Sequence, residues 1–215
     1  MSQSTSSLIT LIETMALVDG EVQQLAYHQR RYQQGLFFLE KLNNIAINQR
    51  IIELSAVIGK HAPPQTKDTG VVRCRVEYDG SEAVVTYAAY HPKPIQRFKL
   101  VYDDAIDYTY KYANRESLNA LLAQKDECDE VIIIKNGFVS DCSIGNLLFF
   151  KDGRWYTPDT PLLQGVTRQR LLETGQITAI SMPVGELTGY QKVMMINALN
   201  PFDISRALDI ACVVR

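Results

Sequence analysis

The stretch YKYANR, Tyr110 to Arg115, sets one lysine between two tyrosines, directly after the acidic run DDAID. An amine in an apolar surround has its charged form destabilised, so it becomes a usable nucleophile or base. Read locally, the alternative is a surface lysine whose stem lies along the rings while its ammonium reaches water. A second place is LLQGVTRQRLLE, 162–173, where Gly165 stands before a helix start and Thr167 falls in its first turn. Backbone N–H groups there, with the helix dipole behind them, can cradle an anion. A plain helix cap is the alternative. Arg31, on an earlier helix, offers a planar fork for the same anion, or is a solvated helix charge. In GFVSDCSIGNLLFF, 137–150, Asp141 ends a strand in a small-residue turn between apolar strands. A carboxylate there is partly desolvated and calls for a cationic partner. An Asx turn, in which the side chain caps its own loop, is the local alternative.

The elements that must position these groups are legible as hydrophobic periods. LITLIETMALVDGEVQQLAY reads as two strands about a turn at Asp19-Gly20, a favoured hairpin dipeptide. Apolar residues Tyr32, Leu36, Leu39 and Leu42 predict an amphipathic helix over about 28–42, and a second helix covers about 49–58. KHAPPQTKDTG, 60–70, is a turn-rich break that contains His61. Two β-rich runs follow, joined at Asp79-Gly80, and then the extended piece HPKPIQRFKLVYD, which its prolines keep from being helix. ANRESLNALLAQKDECD is helical in pattern, with Leu118, Leu121 and Leu122 on one side. EVIIIKNGFVSDCSIGNLLFFKDGRWYTP predicts strand, turn at Asn136-Gly137, strand, turn at Asp152-Gly153, strand. VTRQRLLETG is a short helix ended by Gly175, and VMMINALNPFDISRAL closes with a strand and a turn. Hairpins with interspersed helices, without regular βαβ alternation, give an α+β class.

Composition narrows the function. The chain has 215 residues and a net charge of -2, so no global basic field attracts nucleic acid or an acidic membrane. No run reaches the ~18 apolar residues of a membrane span, and no basic start precedes an apolar block. Cys74, Cys128, Cys142 and Cys212 lie far apart, which argues against a zinc site or a disulfide framework and for reduced thiols in a cytoplasmic setting. No metal-ligand cluster and no dinucleotide fingerprint occurs. His28, His61 and His91 read as packing, capping or loop residues, and Trp155 as core or interface.

An amine, an anion cradle, an arginine and a carboxylate are together what pyridoxal phosphate (PLP) needs: a Schiff-base lysine, a phosphate site and an acidic partner for the pyridinium nitrogen. Here the sequence resembles the class IV aminotransferases of PLP fold type IV, which include branched-chain and D-amino acid aminotransferases and 4-amino-4-deoxychorismate lyase. LIETMALVDGEVQQLAYHQRR looks like the family's opening, with an ET pair, a DG turn, and a histidine followed three residues later by arginine. YKYANR looks like the lyase version of the lysine motif. GFVSDCSIGNLLFFKDGRWYTP looks like the long family signature, LLQGVTRQRLL like its phosphate-binding helix start, and INALNPF like a C-terminal segment near the cofactor.

The resemblance implies a fold and roles. The fold is a two-domain α+β arrangement, residues 1–100 and 101–215, with the cofactor in the cleft between them and usually a homodimer. Lys111 would hold PLP as a Schiff base and move protons. Asp141 would stand where the family has a glutamate facing the pyridinium nitrogen. Arg31 and the N–H groups of Val166 and Thr167 would bind the phosphate. Asn197 and Ala198 would sit near the phosphate or substrate edge, and Thr14 would assist proton transfer. Asp141 is one methylene shorter than the family's glutamate, and Ala16 stands where several relatives carry an arginine. Three functions fit a small amino substrate at such a site. One is conversion of 4-amino-4-deoxychorismate to 4-aminobenzoate and pyruvate, in folate biosynthesis. Another is transamination of D-amino or branched-chain amino acids, with Arg73, Arg75 or Arg97 as carboxylate clamp. The third is a catalytically degenerate relative.

Overall fold

The computed structural model describes residues 8–60 and 70–215. The break expected over 60–70, His61 included, therefore lies outside the described residues except at its two ends. The chain divides into two compact units. One takes the described residues up to Tyr90 together with Tyr110–Asn114, and the other takes His91–Thr109 and Arg115–Arg215.

The first unit is a sheet with helices packed on one face. Its elements are β1 (Leu11–Val18), β2 (Glu21–Val22), α1 (Leu25–Asn43), α2 (Leu54–Gly59), β3 (Val72–Tyr78) and β4 (Ala83–Ala89). The strand order is β2-β1-β3-β4, antiparallel throughout. The register pairs Leu11 with Tyr78 and Met15 with Cys74, so their side chains share one face. That face meets Tyr32, Leu36 and Leu39 of α1 in a single core. The helix starts three residues before the expected position, because Gln24 turns the chain into it at φ 55 without any side-chain cap, a start with no sequence signal. The helix expected over 49–58 is two pieces: one 3-10 turn at Gln49–Ile51, capped by Asn48, then α2 after the extended Glu53.

The second unit holds β5 (Phe98–Tyr102), α3 (Glu116–Leu122), β6 (Glu130–Lys135), β7 (Phe138–Cys142), β8 (Asn146–Lys151), β9 (Arg154–Pro158), α4 (Val166–Glu173), β10 (Thr178–Ile180), β11 (Lys192–Ile196), β12 (Leu208–Asp209) and β13 (Val213–Val214). These form a four-stranded sheet β13-β5-β6-β7 and a five-stranded sheet β10-β9-β8-β11-β12. A common core of Phe98, Ile132, Ile134, Leu147, Phe149, Val193 and Met195 lies between the two sheets. Leu148, Trp155, Leu171, Met194 and Ile196 form a second core on the far face of the five-stranded sheet, under α4. The middle strand expected between the two turns is two strands, β7 and β8, in different sheets. The small-residue turn after Asp141 divides it, closed by Cys142 N–H donating to Gly145 O at 3.0 Å. Asn136-Gly137 and Asp152-Gly153 have positive φ at both residues, as does Asp19-Gly20, which is what two-residue hairpin turns of this hand demand.

Candidate active site

In the first unit, Lys111 is delivered by a short edge pairing. Ile12 N–H donates to Lys111 O and Ala113 N–H to Thr10 O, both at 2.9 Å, and Leu11 bridges Tyr112. Tyr110 and Tyr112 turn into the α1 core, where Phe38 stacks on Tyr110 with ring centres 3.8 Å apart. Lys111 itself lies at the centre of a tight turn, with Tyr112 N–H donating to Tyr110 O at 2.9 Å, and its backbone pairs with Ile12, two residues before Thr14. The tyrosines thus fix the backbone on either side of Lys111. They do not bury it, for Lys111 is only half-buried.

Beside this edge lies a buried ionic group that the sequence reading missed. Glu13 is 0% exposed and takes Arg31 Nε on one oxygen at 2.8 Å. Its other oxygen accepts from Arg31 Nη2 and binds His28 Nδ1, both at 2.6 Å. Burial pushes the Glu13 carboxyl up, but the Arg31 charge and the bonds from His28 and Arg31 outweigh it and hold the group down at about 2. Burial lowers His28, with Glu13 opposing and the charges of Arg31 and Lys111 adding to the fall. Arg31, expected as a phosphate fork, therefore has its guanidinium plane set by Glu13. His28 packs, as expected of it, and its role is to brace Glu13. The signal for Glu13 was present: it interrupts the apolar face Leu11, Met15, Leu17 of one strand.

In the second unit, Asp141 is at the end of β7 and 4% exposed. Its oxygens accept from Asn146 Nδ2 at 2.8 Å and Leu163 N–H at 3.0 Å. Burial pushes its carboxyl up to about 6, and the bonds from Leu163 and Asn146 and the more distant Arg168 charge only partly offset that. Asn146 also donates to Leu163 O at 2.9 Å, so it ties β8 to the segment that leads into α4. Gly165 allows this tie: a Cβ there would lie 1.9 Å from Asn146 Oδ1. Gly165 is also the N-cap of α4, with no side-chain cap, and its carbonyl accepts the first helical bond, from Gln169. Val166 and Thr167 lie in the first turn, ahead of that bond. An eight-residue helix start of this kind favours a phosphate.

Arg168, also unforeseen, is 4% exposed and fixes the approach to α4 by bonds to Thr157 Oγ1, Gln164 Oε1 and Pro158 O at 2.9–3.2 Å. Asn197 uses its side chain locally. Its Oδ1 accepts from the N–H groups of Leu199 and Asn200 at 2.9 and 2.8 Å, and its Nδ2 donates to Ile144 O at 3.0 Å. Of the arginines weighed as carboxylate clamps, Arg75 pairs with Glu77 at 2.8 Å and lies opposite Thr14 in the register, while Arg73 lies opposite Ala16.

Two α+β units, one with Lys111 on an edge pairing and the other with a buried carboxylate near the start of α4, define a PLP-enzyme class of fold. The chain belongs to the amino-transferase class IV family, whose model matches residues 10–204. The members of that family are PLP-dependent enzymes. An uncharacterized protein of Haemophilus influenzae is 38% identical over 190 residues, 88% of this chain and 97% of that one. A solved structure from Haemophilus somnus 129PT, described as a "putative 4-amino-4-deoxychorismate lyase", is also 38% identical, covers 94% of this chain and 100% of its own, and superposes with a TM-score of 0.82. At 21% identity, a Mesorhizobium loti structure described as a "putative amino-acid aminotransferase" shows the same fold, with a TM-score of 0.76 over 96% of this chain and 100% of its own.

Proposed function

We propose that the protein is a PLP-dependent lyase that converts 4-amino-4-deoxychorismate to 4-aminobenzoate and pyruvate. The observation that carries this reading is the backbone pairing of Lys111 with Ile12, two residues before Thr14 on β1. The lyase description of the Haemophilus somnus relative supports it.

The residues present fit the cofactor. A buried carboxyl drawn up to about 6 is stabilised by a cation, which a pyridinium nitrogen provides. A helix start closed only by glycine, with no side-chain cap, suits a phosphate. Asp141 would face the ring nitrogen, and Lys111 would carry the covalent link. Arg31 with the N–H groups of Val166 and Thr167 would hold the phosphate. Asn197 would contribute through its backbone, beside Ala198, since its amide is committed to the turn. Bound there, PLP supplies the electron sink for a carbanion next to the substrate nitrogen.

The chain's own groups do the rest. The Lys111 amine would be the base that takes the ring proton of the substrate. The Thr14 hydroxyl is both donor and acceptor, and so can pass a proton toward the departing enolpyruvyl group. Asp141 would favour the protonated form of the ring nitrogen. Ala16 adds no charge of its own to the β1 edge, so a substrate carboxylate is left to groups elsewhere.

The test is product analysis with 4-amino-4-deoxychorismate. Wild-type protein loaded with PLP should release 4-aminobenzoate and pyruvate in equal amounts. Lys111→Ala should be slower by ~1,000-fold or more, in the range lost with a general base, and should show no borohydride-trapped cofactor. Amino exchange with D- or branched-chain amino acids in place of these products would make it a transaminase. A wild-type chain that traps no cofactor would make it a degenerate relative.

A further inference from the structure

Two charged residues of the second unit sit where local rules would not put them. Arg115 is the N-cap of α3, a position that favours Ser, Asp or Asn and that the helix dipole makes unfavourable for a cation; its side chain makes no cap bond there. Glu130 opens the buried strand β6 at 3% exposure, where burial drives its carboxyl up. Both converge on one residue. Arg115 Nη2 donates to Ser143 O at 2.7 Å. Glu130 accepts from Ser143 N–H at 3.2 Å and from Ser143 Oγ at 2.9 Å, and one of its oxygens also takes Val131 N–H at 2.8 Å. Arg115 lowers the Glu130 carboxyl through its charge, so the two also act on each other across the serine.

Ser143 is the second residue after Asp141 and stands inside the tight turn from Cys142 to Gly145. Asp141 and Asn146, which bond each other at 2.8 Å, flank that turn. We propose that Arg115 and Glu130 are positioning residues that grip Ser143 by its carbonyl, its N–H and its hydroxyl, and thereby set the place of the Asp141 carboxylate toward the cofactor's ring nitrogen. The toward-the-cofactor part rests on the function proposed above; the grip itself does not. The arrangement also gives Arg115 of the YKYANR motif a task distinct from that of Lys111. An aspartate one methylene shorter than a glutamate depends more on its backbone being held, since its side chain has less reach of its own.

The clamp is tested on wild type, Arg115→Ala, Arg115→Lys and Glu130→Gln, with three readouts: titration of the Asp141 carboxyl by carbon NMR in cofactor-free protein, the PLP dissociation constant, and that of inorganic phosphate. Arg115→Ala should move the Asp141 midpoint down from about 6 toward the ordinary carboxylate range, because the loosened turn admits water. It should weaken PLP ~10-fold, as loss of a charge-assisted hydrogen bond does, while inorganic phosphate, which reads the helix start and Arg31, stays within about twofold. Glu130→Gln keeps one acceptor and should weaken PLP by about threefold, and Arg115→Lys should restore part of the loss. An unmoved Asp141 midpoint in Arg115→Ala, or a parallel fall of PLP and phosphate affinity, would overturn the clamp. A wild type that binds no PLP would overturn the proposed function, and the Asp141 titration would still decide the clamp.

Discussion

Glu13 and Asp141 are both shut away from water, and their carboxyls move in opposite directions, to about 2 and about 6. The difference is not burial. Glu13 meets a guanidinium through two nitrogens and a histidine besides. Asp141 meets uncharged N–H groups, those of Leu163, Asn146 and Leu162, with Arg168 acting on it through its charge. One acid is complete within its own unit. The other is held by well-placed dipoles and lacks only a cation in contact. Equal desolvation with unequal charge partnership is what drives the two values apart, and a raised carboxyl of this kind fits the role proposed for Asp141.

Three changes would break or sharpen that contrast. The largest effect belongs to Glu13→Gln, which leaves the Arg31 guanidinium without its counter-charge. Removing one partner of a buried pair costs about 3–5 kcal/mol, so urea unfolding should register a loss of that size. A loss under ~1 kcal/mol, the range of exposed pairs, would show that the ion pair is no more than a surface one.

Next is the pH response of cofactor-free stability. Asp141 is raised on folding, so its stabilising contribution is present below 3.8 and lost as pH rises through about 6. Glu13 is lowered, so its contribution is present above 4.5 and lost as pH falls toward about 2. Unfolding of wild type and Asp141→Asn between pH 3.5 and 7 should therefore diverge, by about 3 kcal/mol at one pKa unit per 1.36 kcal/mol, with wild type losing ground as pH rises. Saturating PLP should shrink the divergence by supplying the missing cation. Parallel curves would place Asp141 with Glu13 as a satisfied structural group.

The smallest of the three is Gly165→Ala. The added methyl would meet Asn146 Oδ1, and overpacking of this kind costs about 1–3 kcal/mol. PLP affinity should fall with it, because Asn146 carries Asp141. Unchanged melting and unchanged PLP binding would show that Asn146 can move aside at no cost to the acid.

Much of the scaffold is written in local patterns. The hairpins at Asp19-Gly20, Asn136-Gly137 and Asp152-Gly153, the strands around them and the body of α1 follow from dipeptides and periods. The early start of α1 does not, because Gln24 adopts its left-handed conformation without a residue type that advertises it. The residues of the candidate site could be named from the sequence, and what holds them could not. Lys111, Asp141 and Gly165 stand in short motifs. Besides short-range bonds, Glu13, Glu130 and Arg168 act through partners 10 to 18 residues away, and no local window contains both halves of those contacts. A charge on an otherwise apolar strand face was the one trace that Glu13 left.

The pairing of Leu11 with Tyr112 joins positions 101 residues apart. A ribosome adding about 5–20 residues per second needs roughly 5–20 s to travel between them. Through that interval the β1 edge has been made and its partner has not. The first unit, though nearly all of its sequence is synthesised early, closes its sheet only after the first stretch of the second unit has been translated. Its completion is set by translation order, and a nascent chain arrested near residue 100 would expose an unfinished strand edge to chaperones or to other chains.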